Sequence, residues 1–347
     1  MDSWARLSLY ESTDLVRGLY QQRHGRELSA DRACEIVSAV AQGREYFSAA
    51  SEAGLLVRPL LQYYGVLSLS RGLILLLNQR LREASLPQAH GLSSIGWSGS
   101  LVADARRPAQ LKVKVNNGTF LSLLESTLNA DISRVFTGPY PSQIVFPRTR
   151  DFTELQDATF TFQDLLARIP DLREVYERSF GQCASNYRAF VFTLSATTHS
   201  DIDLFDGKHG LPSEQQLRRD LSIPDEVQIV STAHHNFMPQ ELHLSYRLPH
   251  LEGASFINVL PQIENLTDGL TSIIAPFEGG LAISRLGRFF LLSYFLGTLA
   301  RYHPTSWLAI MQSRQKGDFM LPLIREAMVA VQVHFPTLVI EELEGRV

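Results

Sequence analysis

LLVRPLLQYYGVLSLSRGLILLLNQ, residues Leu55 to Gln79, is the longest nearly apolar run in the chain, and its reading decides the fold. Leu, Tyr and Arg dominate it and β-branched residues are few, which favours a helix over a strand. Leu60, Tyr64, Leu67, Arg71, Leu75 and Asn78 follow one another at steps of three or four. Between them lie Leu61, Gly65, Ser68 and Gly72, whose small members let a neighbouring helix come close. A helix apolar almost all round belongs in a core. The run is about as long as the ~20 apolar residues a bilayer requires, but Arg58, Gln62, Ser68, Ser70 and Arg71 interrupt it, so a membrane span is rejected. Pro59 falls in the first turn, where its missing N–H costs little. Pro87 and His90-Gly91 close the element.

Working outward, 347 residues suffice for one large or two ordinary domains, and 45% hydrophobic with 20% charged residues is an ordinary globular balance. The net charge of -4 implies no global attraction to nucleic acid, although local basic patches remain open. Cys34 and Cys183 are far apart, which excludes a disulfide scaffold and a cysteine zinc site. The opening MDSWARLSLYESTD has acids and no apolar signal core, so a cytoplasmic location is expected.

Before the central run, Thr13 or Asp14 is placed to cap a helix through Leu15 and Leu19, and Ser29 starts a second one ending near Gly54. After Gly91, LSSIGWSGSLVADARRP reads as loop with a short strand and LKVKVNN as a strand. TFLSLLESTL reads as a short helix, and the proline-rich ISRVFTGPYPSQIVFPRTRD as mostly irregular. FTFQDLLARIPDLREVYERSFG reads as helix broken near Pro170. YRAFVFTLSA, VQIVSTA, ELHLSYRLP, SFINVLP, GLTSIIAPF and GGLAISRL suggest an antiparallel meander, with a helix from Ser213 to Leu221. RFFLLSYFLGTLARY is a second strongly apolar helix, closed by His303-Pro304; SWLAIMQSR follows, then a helix that Pro336 is expected to stop.

Two apolar helices near opposite ends of one chain need each other, because each leaves too much apolar surface in water. The expected fold is therefore α+β and mainly helical. Residues 1–92 and 285–347 would form one helical bundle, with a mixed, largely antiparallel β region inserted at 93–284.

Tyr63-Tyr64-Gly65, Leu69-Ser70-Arg71, Leu73 to Leu77 and His90-Gly91-Leu92, with Ala41 to Ala50 before them, resemble the HEPN class of helical domains. More narrowly, the PLLQYYG helix, the HGL turn, and Arg301-Tyr302-His303-Pro304 with Trp307 resemble the YaaC-like family of bacterial proteins. The match touches both ends of the chain, and the middle third adds little. The YaaC-like resemblance carries no biochemical role. The HEPN resemblance implies either a metal-independent ribonuclease, often in toxin or antiviral systems, or an inactive domain that binds nucleotides or partner proteins. Its nucleases use an Arg and a His with four to six residues between them. The literal match here, Arg17 and His24, lies upstream of the matching helix, and Arg82 and His90 are spaced too widely.

Arg71 sits mid-helix among apolar residues and needs either a core ion pair or an anion. His90 either caps a helix end or acts at a pocket mouth. Arg301, His303 and Trp307 close the late helix, where positive charge is favoured by the helix end alone. If the two apolar helices pack side by side, Arg301 and His90 share one end of the body. Candidate catalytic residues are His90, Arg301 and His303, or Arg17 with His24; candidate ligand-binding residues are Arg71, Tyr64 and Trp307. Asp201, Asp203 and Asp206 have the wrong spacing for a calcium loop. His234 and His235 point to opposite faces of a strand and do not both reach His243, so no metal is expected. Arg106, Arg107, Lys112 and Lys114 form a small basic patch. No cofactor motif is present: there is no P-loop, nucleophile elbow or dinucleotide fingerprint.

The expected function is a binding protein that docks a partner protein, a nucleotide or RNA, in a bacterial defence or stress system as the resemblance implies. A metal-independent ribonuclease and a scaffold subunit of a larger assembly, a homo-oligomer included, are the alternatives.

Overall fold

The structure is a computed structural model and describes residues 3–103, 108–137, 140–148, 151–193, 198–205, 210–232, 243–252, 263–265, 271–312 and 319–345. The chain forms two compact units: residues 1–165 with 283–347, and residues 166–282. The first thus extends through residues 93–165, which the sequence reading had put in the inserted region.

The first unit opens with α1 (Ser3–Leu7), α2 (Thr13–His24), α3 (Ala30–Glu52) and α4 (Arg58–Leu77). Ser12, not Thr13 or Asp14, caps α2 by accepting from Leu15 N; Ser29 caps α3 by accepting from Arg32 N. Next come β1 (Leu92–Ile95), α5 (Trp97–Ala103), β2 (Lys112–Val115), α6 (Thr119–Ser126), β3 (Ala130–Thr137), β4 (Tyr140–Pro147) and β5 (Thr159–Thr161). α5 was not foreseen. β3 and β4 replace the irregular stretch expected from its prolines. They form a two-stranded antiparallel ribbon in which both strands are edges, and an edge tolerates proline. β1, β2 and β5 make a separate three-stranded antiparallel sheet.

Across the boundary lies α7 (Phe162–Leu166). The second unit holds α8 (Arg173–Phe180), β6 (Asn186–Thr193), β7 (His199–Phe205), α9 (Glu214–Leu221), β8 (Ile229–Thr232), β9 (His243–Pro249), β10 (Ile263–Asn265) and β11 (Thr271–Ile274). Its six strands form one antiparallel sheet in the order β10-β11-β6-β7-β9-β8. Alternate residues Tyr187, Ala189, Ile202, Leu204, Tyr246 and Leu248 make a core with Leu217 and Leu221 of α9. SFINVLP lies outside the described residues, and GGLAISRL is not a strand before the next helix begins.

The chain then returns to the first unit with α10 (Arg285–Tyr302), α11 (Pro304–Met311) and α12 (Met320–Glu344). Leu286 to Leu299 of α10 are all buried, so this helix is enclosed on every side. α12 runs through Pro336 instead of stopping there. A proline inside a helix costs about 3 kcal/mol. Pro336 and its neighbour Phe335 are buried, Phe335 stacks on Phe47, and Arg23 donates to the carbonyls of Glu342, Leu343 and Gly345 at the helix end. Tertiary contact offsets what the backbone loses.

α4 packs against α3, α10, α12 and α6. A methyl at Gly65 would stand 2.6 Å from the Phe47 ring, and one at Gly297 would stand 2.7 Å from Tyr63 Cβ, so small residues set both helix separations. The polar residues that interrupt α4 have separate tasks. Arg58 Nε donates to the Ala50 and Ala53 carbonyls at the end of α3. Gln62 Nε2 donates to Met328 O at 2.8 Å, Ser68 Oγ to Gln42, and Ser70 Oγ to Val66 O. Helices α4 and α12 are long and apolar enough to cross a membrane by composition, yet 67% and 61% of their apolar windows are buried, as in core helices.

Candidate functional site

The first half of α4 presents Tyr63 inward and Tyr64 to a partly open face. The second half of α10 brings Tyr294 and, two turns later, Arg301 and Tyr302. His90 comes from the turn before β1. Its position is set by backbone. Gly91 and Gly118 have φ of +84° and +157°, a region that favours glycine. A methyl on Gly118 would stand 2.7 Å from Ala89 O and closer still to Gly91. Ala89 O, His90 O and Gly91 O accept from Thr119, Phe120 and Asn116 N–H groups, at and just before the start of α6. The HGL turn is thus clamped to the start of α6, with His90 held at its crest.

The His90 ring meets Tyr63 edge-on at 5.4 Å between centroids and lies 6.4 Å from Tyr294. Its Nδ1 and the Tyr63 hydroxyl are enclosed and have no hydrogen-bond partner among the described residues. Buried polar atoms are normally bonded, and each exception calls for an explanation. The Tyr294 hydroxyl donates to Leu92 O at 3.2 Å. Burial pushes the His90 imidazole below its ordinary pKa, and the positive charge of Arg301 pushes it further. Burial also raises the Tyr63 phenol, which stays protonated.

Arg301 Nη1 donates to the Tyr64 hydroxyl at 2.6 Å. Its guanidinium carbon lies 5.8 Å from the Tyr64 ring centre and 4.9 Å from that of Tyr302, within cation–π reach of both. Tyr46 of α3 stacks on Tyr64, with 5.5 Å between ring centres. Among the described residues no carboxylate pairs with Arg301. The result is a surface ladder, Tyr46–Tyr64–Arg301–Tyr302, beside the enclosed Tyr63–His90–Tyr294 group.

Other sequence candidates go elsewhere. Arg17 Nε donates to Leu28 O, while His24 bonds Leu76 O through Nε2 at 2.9 Å and Gln79 Nε2 through Nδ1. These two residues serve separate backbone groups and do not converge. His303 packs on Trp97, 5.9 Å away, with its pKa lowered by burial. Trp307 is 1% exposed, and its Nε1 donates to Leu56 O at 3.1 Å, pinning α11 to the start of α4. Arg71 is half-buried and has neither the core ion pair nor any other hydrogen-bond partner among the described residues. Asp201 pairs with Arg247 and Asp203 accepts from Ser245, both across β7 and β9, so they lie on a strand instead of a loop. Asp206, His234, His235, Arg106 and Arg107 fall outside the described residues, and so does the side chain of His243. Among the described residues no His, Cys, Asp or Glu group is placed to hold a metal. Lys114 is paired with Asp157.

Sequence reading did not single out Tyr46, Tyr63, Tyr294 and Tyr302 as site residues. Tyr294 carried a usable signal, since it stands seven residues before Arg301 and shares its helix face. The arrangement can hold an anion at Arg301, stack a flat ring on tyrosine, and accept a proton at the His90 imidazole.

Fold and site together define an α+β, mainly helical protein with a tyrosine–arginine surface between α4 and α10. The chain belongs to the YaaC-like family, whose model matches residues 8–343. No curated protein and no solved structure matches it.

Proposed function

We propose that this chain is a binding protein whose helical body, a divergent HEPN-like core, docks a nucleotide or an RNA strand on the Tyr46–Tyr64–Arg301–Tyr302 ladder. One observation carries the reading: Arg301 is exposed, lacks a carboxylate partner among the described residues, and is flanked by tyrosine rings. Aromatic faces beside a cation are the chemistry that holds bases and phosphates of single strands, with stacking contributing about 1–3 kcal/mol per base. The cytoplasmic setting and docking to a partner protein or second copy belong to the same proposal, as does the bacterial defence or stress role, which rests on the resemblance.

Fluorescence anisotropy with an end-labelled RNA, competed with AMP, tests it. Saturable binding that weakens about tenfold or more in Arg301→Ala and Tyr64→Ala supports the reading. Absence of binding by both RNA and AMP overturns it.

A second reading, metal-independent RNA cleavage, is favoured by one fact: the charge of Arg301 reaches the half-buried His90 imidazole. A neutral imidazole can accept the proton of an attacking ribose hydroxyl while Arg301 neutralises the phosphate. Cleavage in EDTA by the wild type that His90→Ala abolishes would establish this reading; intact RNA after prolonged incubation would exclude it.

A further inference from the structure

The open face of α4 does not end at Tyr64. Leu67 and Arg71 continue it, both partly exposed, while residues on either side of this row are buried. Seven residues separate Tyr64 from Arg71, so they share a face, about 10.5 Å apart along the axis. That is about three stacked nucleotides at ~3.4 Å each. Arg71 has no hydrogen bond or ion pair among the described residues. Nearby, Ser68 is committed to Gln42. Arg58, by contrast, spends its guanidinium on the Ala50 and Ala53 carbonyls. Of the two arginines in the central run, only Arg71 stays available to an outside anion.

We propose that this face binds a single-stranded oligonucleotide, with Arg301 taking one phosphate, Arg71 a second about three nucleotides along, and bases lying on Tyr64 and Leu67 between them. A mononucleotide occupies the Arg301 end alone. A duplex fits poorly, because its bases are already stacked on one another and cannot lie on Tyr64. The inference deepens the proposed function and rests on it.

The test compares binding of AMP and of single-stranded RNAs of two, four and eight nucleotides to the full chain, its Arg71→Ala and Arg71→Gln variants, and Arg301→Ala. The glutamine variant keeps much of the stem's packing should the alanine variant fold poorly. The expected result is a gain of about tenfold or more in affinity between AMP and the tetranucleotide in the wild type. Both Arg71 variants should lose that gain while keeping wild-type affinity for AMP, and their salt slope for the tetranucleotide should fall by about 0.7. Arg301→Ala should weaken every ligand. If the tetranucleotide binds no better than AMP, if an Arg71 variant weakens AMP as much as the tetranucleotide, or if an eight-base-pair duplex binds as well as the single strand, the extension is wrong while the Arg301 site stands. If no ligand binds at all, the underlying site reading fails as well.

Discussion

Arg301 Nη1 and the Tyr64 hydroxyl, 237 positions apart in the chain, are joined by a hydrogen bond of 2.6 Å. The phenol oxygen accepts, so the Tyr64 O–H remains able to donate outward. The bond aims the guanidinium across the helix pair without neutralising it. A carboxylate at the same place would hold Arg301 equally well but cancel its charge. A tyrosine leaves a positioned cation facing solvent.

Tyr64→Phe separates the two parts of that arrangement. The ring stays for stacking on Tyr46 and for Arg301, and the acceptor is lost. A bond of this kind from an exposed, solvent-screened cation contributes about 1 kcal/mol or less to folding, so the melting temperature should barely move. Affinity for RNA should fall less than in Tyr64→Ala, which removes the ring as well. Urea melts and anisotropy on the three proteins check this, and equal losses in both variants would show that the ring contributes nothing.

Backbone contact at the HGL turn makes Gly118 the sensitive residue of the site. A side chain there meets the Ala89 and Gly91 backbone and also needs a φ that non-glycine residues avoid. Gly118→Ala should cost about 1–3 kcal/mol and shift the His90 ring. Gly18→Ala, with nothing near its Cβ, is the control and should be neutral or slightly stabilising. Denaturation curves and His90 imidazole NMR shifts report the two effects separately.

Acid should destabilise the protein well above the carboxylate range. His24, His90 and His303 all have pKa values held below the ordinary one, with burial as the first cause. In the unfolded chain they return to about 6.5. Below that pH the unfolded chain binds protons the folded chain resists, so stability is complete above ~6.5 and is lost as pH falls through the folded values. Glu35, lowered by its bond to Arg82, acts in the same direction at lower pH. Melting temperatures at constant ionic strength should drop between pH 7.5 and 5.5, and a His24→Gln/His90→Asn double variant should flatten the curve. A wild-type curve that is already flat would contradict the assignment.

Trp307 is a fold residue by position. Trp307→Phe removes the bond to Leu56 O and should cost about 1 kcal/mol. Trp307→Ala also empties a buried site and should cost about 3–5 kcal/mol. RNA affinity of the folded fraction should stay at the wild-type level in Trp307→Phe. A large drop there would place Trp307 in contact with ligand.

The helices were legible because periodicity, caps and small-residue rows are local properties of the chain. That holds for α3, α4, α9 and α10, and for the β6, β9 and β11 strands; β7, whose aspartates read as a polar turn, was missed. Packing decided what local rules could not. Pro336 should end a helix by its own chemistry, and burial of α12 carries the helix past it. Pro141 and Pro147 suggested irregular chain, yet a two-stranded ribbon accepts them because both of its strands are edges.

Within the site, the residue types at Tyr64, His90 and Arg301 were visible from sequence, and their shared neighbourhood followed only if the two apolar helices packed together, as α4 and α10 do. Arg58 and Arg71 look alike in the central run. One is taken up by carbonyls at the end of α3, and the other meets no partner among the described residues. Arg17 and His24 matched a pattern in one dimension and serve different backbone atoms in three. Sequence by itself determined which segments must hide from water. Only the tertiary structure decided which charges kept a face to it, because a charge's partner comes from whatever distant backbone or ring the packing brings alongside.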